Sequence, residues 1–319
     1  MRVLLLLALM VPGVAFGQAA YPSRPIRMIV PLAAGSSVDN AARIITQKMS
    51  ESMGQQIVIL NQSGAAGVIG AGEVARAAPD GYTIGGFNDS VLTMLPATLA
   101  KLPWDPVRSF APVSLVGTIE FGLVANNAVR YLDVAGLIVA ARGAPDTITY
   151  GSGGIGSPQH IAMVIFAQAA GISLRHIPYR GATQAATDVV AGQVDVSFQG
   201  LPVVAGLVRG GQMKLLGVGS AERLAQFPEA PTIGASGLPG FTFSTWFGVV
   251  VPAGTPEAVV ERLNAEIVKA IGDAGVREKL VAQGFVVRGS TAGELRDVIA
   301  AQLVKYAAVV KAAGIAPGQ

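Results

Sequence analysis

Ile26-Arg27-Met28-Ile29-Val30 runs directly into Pro31-Leu32-Ala33-Ala34-Gly35-Ser36-Ser37, after which Val38, Ala41, Ile45 and Met49 recur at helical spacing. A short apolar run, a Gly/Ser loop and an amphipathic helix make one unit, and the chain repeats it. Gln56 to Leu60 leads into Asn61-Gln62-Ser63-Gly64-Ala65-Ala66-Gly67 and a helix through Arg76. Tyr82-Thr83-Ile84 leads into Gly85-Gly86-Phe87-Asn88-Asp89-Ser90 and another helix. Strands and helices alternating at this spacing predict parallel βαβ units, hence an α/β fold.

Beyond Trp104-Asp105-Pro106, the β-rich stretch Phe110 to Ala125 reads as a crossing strand, and the unit then restarts. Thr147 to Tyr150 gives way to Gly151-Ser152-Gly153-Gly154-Ile155-Gly156-Ser157 and a helix from Pro158. Leu174 to Pro178 precedes Tyr179-Arg180-Gly181-Ala182-Thr183-Gln184, with a helix to Ala191. Val194 to Phe198 precedes Gln199-Gly200-Leu201-Pro202 and a further helix. A second β-rich stretch, Phe241 to Val251, returns the chain toward the first half. In the tail, Thr255 reads as a helix cap with Pro256 at the first position, and Val259, Leu263, Ile267 and Ile271 form the buried stripe. Thr291 and Glu294 fit a capping box for the last helix, which Gly314 can end. Two similar halves joined by two crossings predict a hinged pair of lobes.

The 319 residues suffice for two domains with substantial cores. Charged residues make up 13% of them and apolar ones 51%, which argues against disorder. The net charge of +3 comes without any Lys/Arg cluster, so the counterion-displacing footprint of a nucleic-acid binder is missing. Having no cysteine excludes thiol catalysis, disulfides and Cys-ligated metals; two histidines, His160 and His176, argue against a multi-histidine metal site. Mean hydropathy is +0.52, yet the one long apolar run, Val3 to Phe16, is short and Pro-interrupted. Following Met1-Arg2 and preceding small residues, it reads as a secretory leader over residues 1–19, cleaved after Gly17 or Ala19. The expectation is an exported, soluble protein.

Gly-rich loops between strand and helix leave several backbone N–H groups free at helix N-termini, where they can hold an anion without a cationic side chain. Two such loops in the first half, Ala33 to Ser37 and Asn61 to Gly67, are placed to face two in the second, Gly151 to Ser157 and Tyr179 to Gln184. Any one of them alone could equally be a tight turn. Gly151-x-Gly153-x-x-Gly156 matches a dinucleotide fingerprint in form only, because no Asp or Glu follows near Leu174 to Tyr179 to hold a ribose. No Gly-x-Ser-x-Gly elbow is present. His160 falls three residues after Ser157, within reach of the first helical turn, though a packed histidine is the commoner case. Phe87, Phe198 and Trp246 fit either a cleft or the core. Asp195 reads as orienting a strand start, and Arg180 as either a ligand partner or a solvated side chain.

In order along the chain, these stretches resemble the periplasmic solute-binding proteins of tripartite tricarboxylate transporters, the Bug receptors. The likeness is carried by Tyr21-Pro22-Ser23-Arg24-Pro25-Ile26 with Val30-Pro31-Leu32-Ala33-Ala34-Gly35, by Gly64-Ala65-Ala66-Gly67, and by Ala78-Pro79-Asp80-Gly81-Tyr82-Thr83. It continues through Leu102-Pro103-Trp104-Asp105-Pro106, Phe110-Ala111-Pro112-Val113-Ser114, Pro178-Tyr179-Arg180-Gly181, Gly192-Gln193-Val194-Asp195, and Trp246-Phe247-Gly248 with Pro252-Ala253-Gly254-Thr255-Pro256.

The resemblance implies a type II periplasmic binding fold, a Venus flytrap whose two Rossmann-like lobes enclose a ligand. Lobe 1 would comprise residues 20–122 and 247–319, and lobe 2 residues 123–246. It implies a small organic acid as ligand, delivery to the membrane permease subunits of a tripartite tricarboxylate transporter, and a monomer with no catalytic residue, metal, cofactor or nucleic-acid partner. Implied contacts from lobe 1 are Ala33, Gly35, Ser36, Ser37, Gly64, Ala65, Asn88 and Ser90. From lobe 2 they are Ser152, Gly156, Ser157, Tyr179, Gly181, Ala182 and Gln199. Gln199 stands where relatives often carry an acid, which points to a ligand without an amino group. An exported enzyme acting on organic acids and a periplasmic sensor subunit are the competing expectations.

Overall fold

The computed structural model describes residues 21–312; the leader read at residues 1–19 and the helix stop read at Gly314 lie outside them. The strands are β1 (Ile26–Val30), β2 (Ile57–Asn61), β3 (Thr83–Asn88), β4 (Phe110–Ala125), β5 (Thr149–Ser152), β6 (Arg175–Pro178), β7 (Val196–Gly200), β8 (Lys214–Val218), β9 (Ser244–Pro252) and β10 (Phe285–Val287). The helices are α1 (Ser37–Met53), α2 (Val68–Ala75), α3 (Leu95–Thr98), α4 (Val134–Gly143), α5 (Pro158–Ala170), α6 (Ala182–Val190), α7 (Leu201–Arg209), α8 (Glu257–Gly272), α9 (Ala274–Ala282) and α10 (Ala292–Ala312).

In lobe 1, β2, β1 and β3 pair in parallel, and β9 joins the edge of β3 antiparallel. The first part of β4 then pairs with β9 and β10. In lobe 2, β5 lies between β6 and β7, all parallel, while the last residues of β4 pair antiparallel with both β7 and β8. One strand therefore serves both sheets. β4 changes partners at Glu120 and Phe121, next to the place where Phe243 N–H donates to Gly219 O and Gly219 N–H to Phe121 O.

Local chemistry accounts for the element ends. Ser36 Oγ accepts from Asp39 N–H (3.3 Å) at the start of α1, and Val38, Ala41, Ala42, Ile45 and Met49 bury its inner face. Thr291 and Glu294 close a reciprocal capping box at α10. Two expectations fail. Thr255 does not cap α8, because its hydroxyl donates to Pro252 O (2.8 Å) and Pro256 occupies the cap position with extended ψ. The loop expected from Gly85 is strand as far as Asn88: Gly85 and Gly86 pair with Val250 and Val249, and β9 holds them extended. A π-turn over Ser90–Met94 follows and merges into α3. Among the described residues no helix is long and apolar enough to cross a membrane.

Candidate ligand-binding cleft

On lobe 1 the loop after β1 is fixed by a buried carboxylate. Asp39, 2% exposed, accepts from Gly35 N–H (2.8 Å), Asn61 Nδ2 (2.9 Å) and Arg43, whose guanidinium reaches both of its oxygens (3.0 and 2.9 Å). Burial alone would raise the Asp39 pKa; the bonds from Arg43, Gly35 and Asn61 outweigh it and hold the carboxyl below its ordinary range. Asn61 also donates to Leu32 O, so the ends of β1 and β2 are tied together. Next to them Gly64-Ala65-Ala66-Gly67 turns with φ of 135°, 46°, 53° and 109°. Two successive alanines in left-handed conformations are strained, and such strain gathers at binding sites. Behind Asn88 and Ser90 lies Asp89, whose carboxyl is pushed well above the usual range by burial.

On lobe 2 the loop after β5 runs over Gly153 and Gly154 to Ser157, whose Oγ caps α5 by accepting from His160 N–H (3.4 Å). Ser152 Oγ lies 2.6 Å from His176 Nε2 and accepts from Gly154 N–H (3.1 Å). Gly156 N–H donates to His160 Nδ1 (3.3 Å). The next loop enters α6 through Gly181, which has no side-chain cap, so the first N–H groups of that helix lack a side-chain partner.

The two lobes meet. Thr183 Oγ1 donates to Ala34 O (3.1 Å) and Asn40 Nδ2 to Pro202 O (3.3 Å). A Cβ on Gly181 would lie 2.8 Å from Ala33 Cβ, and one on Gly156 2.6 Å from Thr98 Oγ1, so the backbones approach as closely as glycine allows. Between these contacts lies a cleft. Lobe 1 lines it with Pro31, Leu32, Ala33, Ser36, Ser37, Val38, Gly64, Ala66, Gly67, Asn88 and Ser90. Lobe 2 contributes Gly153, Ser157, Pro158, Gln159, Arg180, Gly181 and Ala182, and the crossing strands add Ile119, Phe121 and Thr245. The first turns of α1, α5 and α6 thus converge on one space, each with its positive dipole end inward. Among the lining residues Arg180 is the one charged side chain, and it is exposed at the rim.

Residues 41–315 match the family model described as the tripartite tricarboxylate transporter family receptor. The chain belongs to this family. It is 41% identical over 288 residues to the UPF0065 protein in the tcbD-tcbE intergenic region of Pseudomonas sp. (strain P51), covering 90% of this chain and 85% of that one. The structure of periplasmic binding protein BugD superposes with a TM-score of 0.90 at 30% identity, covering 93% of this chain and all (100%) of that one. An R. palustris protein solved with adipate superposes with a TM-score of 0.91 at 30% identity, covering 93% and 99%. The receptor shares with them a two-lobed α/β architecture.

Of the residues singled out in the sequence of this receptor, Ala33, Ser36, Ser37, Gly64, Asn88, Ser90, Ser157, Gly181 and Ala182 line the cleft. Gly35, Ala65, Ser152, Gly156, Tyr179 and Gln199 do not. Gly35 N–H is spent on Asp39, Gly156 N–H on His160 and Tyr179 N–H on Ser152 O, while Ala65 holds the strained turn. Gln199 Nε2 donates to Ser197 Oγ (2.9 Å) and Ala182 O (3.3 Å), and its Oε1 is buried without a hydrogen-bond partner. Gln159, Thr245 and Phe121 are lining residues that sequence reading passed over. Gln159 had a signal, since it is the second residue of a helix entered through a Gly/Ser loop.

Proposed function

We propose that this receptor is exported through its N-terminal leader, encloses a small organic acid between its lobes without altering it, and delivers it to the membrane subunits of a tripartite tricarboxylate-type permease. One observation carries this reading: three helix N-termini, drawn from both lobes, converge on a cleft with one charged residue, a cation at its rim. Such termini hold a carboxylate by backbone donors and dipole, each terminus contributing about 0.3–1 kcal/mol and up to ~2 when partly buried. Adipate in the R. palustris neighbour supports the class of ligand. In this reading the contacts are the fifteen residues named above, direct or through the loops they shape, with no catalytic residue or cofactor; the protein acts as a monomer.

The lining carries no carboxylate, so an ammonium group would be buried without a counter-charge. We therefore expect adipate to bind at least tenfold tighter than 2-aminoadipate, measured by calorimetry after a thermal-shift screen of organic acids. Tighter binding of the amino acid would overturn the specificity, and an empty screen the receptor reading itself. The lobes, taken as residues 20–122 with 247–319 and 123–246, hinge where β4 changes sheets. Ligand should lower the radius of gyration in solution scattering, because the closed form carries contacts from both sides.

A further inference from the structure

The two histidines of the chain stand together behind the lobe 2 loop. His160 is on the first turn of α5 and His176 on β6, their rings stacked at 4.5 Å and 20°. Tyr150 of β5 stacks on His176 at 4.7 Å and 13°, so His176 is sandwiched. Each imidazole grips one point of the same loop: His160 Nδ1 accepts Gly156 N–H, and His176 Nε2 meets Ser152 Oγ. Gly153 lies between those two points and Ser157 directly follows the second; both line the cleft, and Gly156 abuts Thr98 of lobe 1. The acceptor role of His160 Nδ1 requires the ring to be neutral there.

We propose that His160 and His176 are positioning residues of the cleft, whose neutral, stacked rings hold residues 152–157 in the shape that meets a ligand and let go of them when protonated. The proposal rests on the reading of the cleft as the ligand site. A proton on His160 Nδ1 would set two N–H groups against each other, and two stacked imidazolium rings would repel.

The surroundings favour the neutral pair. Burial pushes His160 down to about 4; burial, and then the His160 ring, does the same for His176. The side-chain hydrogen bonds of the two rings go to Ser152 and Gly156 and not to the charged or titratable groups on the neighbouring elements. Asp195 before β7 is bonded to Thr149, Asp188 of α6 acts on Tyr179, and Arg175 of β6 is exposed. Asp89, at the head of the π-turn touching α5, is buried with neither carboxyl oxygen hydrogen-bonded, and burial raises its pKa well above the usual carboxylate range; Tyr150 stays protonated because burial raises its hydroxyl.

The test uses the purified protein and adipate as probe. NMR titration of the ring protons, each assigned by a single variant because the chain has two histidines, should place both transitions well below 6.5, with the Gly156 amide shift following His160. At pH 7.5, His160→Leu should weaken adipate about tenfold. His160→Asn, which keeps an acceptor near the Nδ1 position, should stay within about threefold of wild type. Transitions near 6.5, or a Gly156 amide indifferent to His160, would overturn the proposal; so would Asn and Leu variants that bind alike. Failure of wild type to bind any acid would instead count against the ligand reading, and the titration would still decide whether His160 holds Gly156.

Discussion

On lobe 1 the loop at Gly35 is braced by a carboxylate in a cage of charged and neutral donors, whereas on lobe 2 the loop at Gly156 is braced by two neutral imidazoles. Both braces do the same mechanical job, since each accepts a backbone N–H from the loop it holds. They differ in what can undo them. Asp39 stays charged below the ordinary carboxylate range because its partners favour the anion, while the histidines take up protons as pH falls from their ordinary 6.5 toward about 4. A receptor built this way has one rigid jaw and one that answers to proton concentration.

The sharpest break of that contrast is Gly156→Val. Its φ of +78° strains a β-branched residue, and the new side chain would meet Thr98 across the cleft. Ligand affinity should fall at least a hundredfold, with scattering showing a more open molecule; wild-type affinity would mean that the lobe 2 loop is not part of the closed site. Asp39→Ala attacks the other jaw by leaving Gly35, Asn61 and Arg43 without their acceptor, and should cost about 1–3 kcal/mol of stability in denaturant unfolding. An unchanged midpoint would show the cage to be dispensable.

The pH dependence separates the two jaws directly. A group whose folded pKa lies below its unfolded value keeps its full stabilising share above the unfolded pKa and loses it as pH falls toward the folded one. For the histidines that window runs from 6.5 down to about 4; Asp39 begins to contribute its loss only below its ordinary value of 3.8. Between pH 6.5 and 4, wild type should therefore lose melting temperature relative to the His160→Asn/His176→Gln double variant, by roughly 4–8 °C for about 2 kcal/mol. Parallel melting curves would refute the imidazole brace. The smallest effect is expected at the rim: Arg180→Ala, removing an exposed cation, should weaken a carboxylate by no more than about fivefold. Near-complete loss of binding would replace backbone donors with Arg180 as the main anchor.

Much of the cleft was legible because its first contacts are backbone. A strand ending in Gly-Ser before an amphipathic helix announces a free N-terminus, and Ser36, Ser157 and Gly181 stand at three such points. The crossing strand at Phe110–Ala125 was equally plain from its unbroken β-rich run. What the sequence could not distinguish is whether a loop residue offers its N–H to the cleft or to a brace behind it. Gly35 and Gly156 look like anion-cradling glycines in the chain, yet Asp39 and His160 claim their N–H groups through side chains four residues along the helix. Short strands also escaped notice. Lys214–Val218 and Phe285–Val287 are held by β4, a partner far away in sequence, and show no local pattern of their own. Asp195 went the other way, since its place after Gly192-Gln193-Val194 suggested an orienting role that its bonds to Thr149 N–H and Oγ1 fulfil.

The pairing of β3 with β9 has a consequence for the birth of the molecule. Gly85 finds Val250 only after the whole of lobe 2 has been made, while β5, β6 and β7 can pair among themselves as soon as Val196 to Gly200 emerges. A chain delivered N-terminus first can therefore finish the interior of lobe 2 early. Lobe 1 must wait, with the edge of β3 unpaired, until the segment from Ser244 to Pro252 arrives. The inserted half can complete its own parallel strands before β9 exists, and the half that begins the sequence is the one whose sheet is completed last.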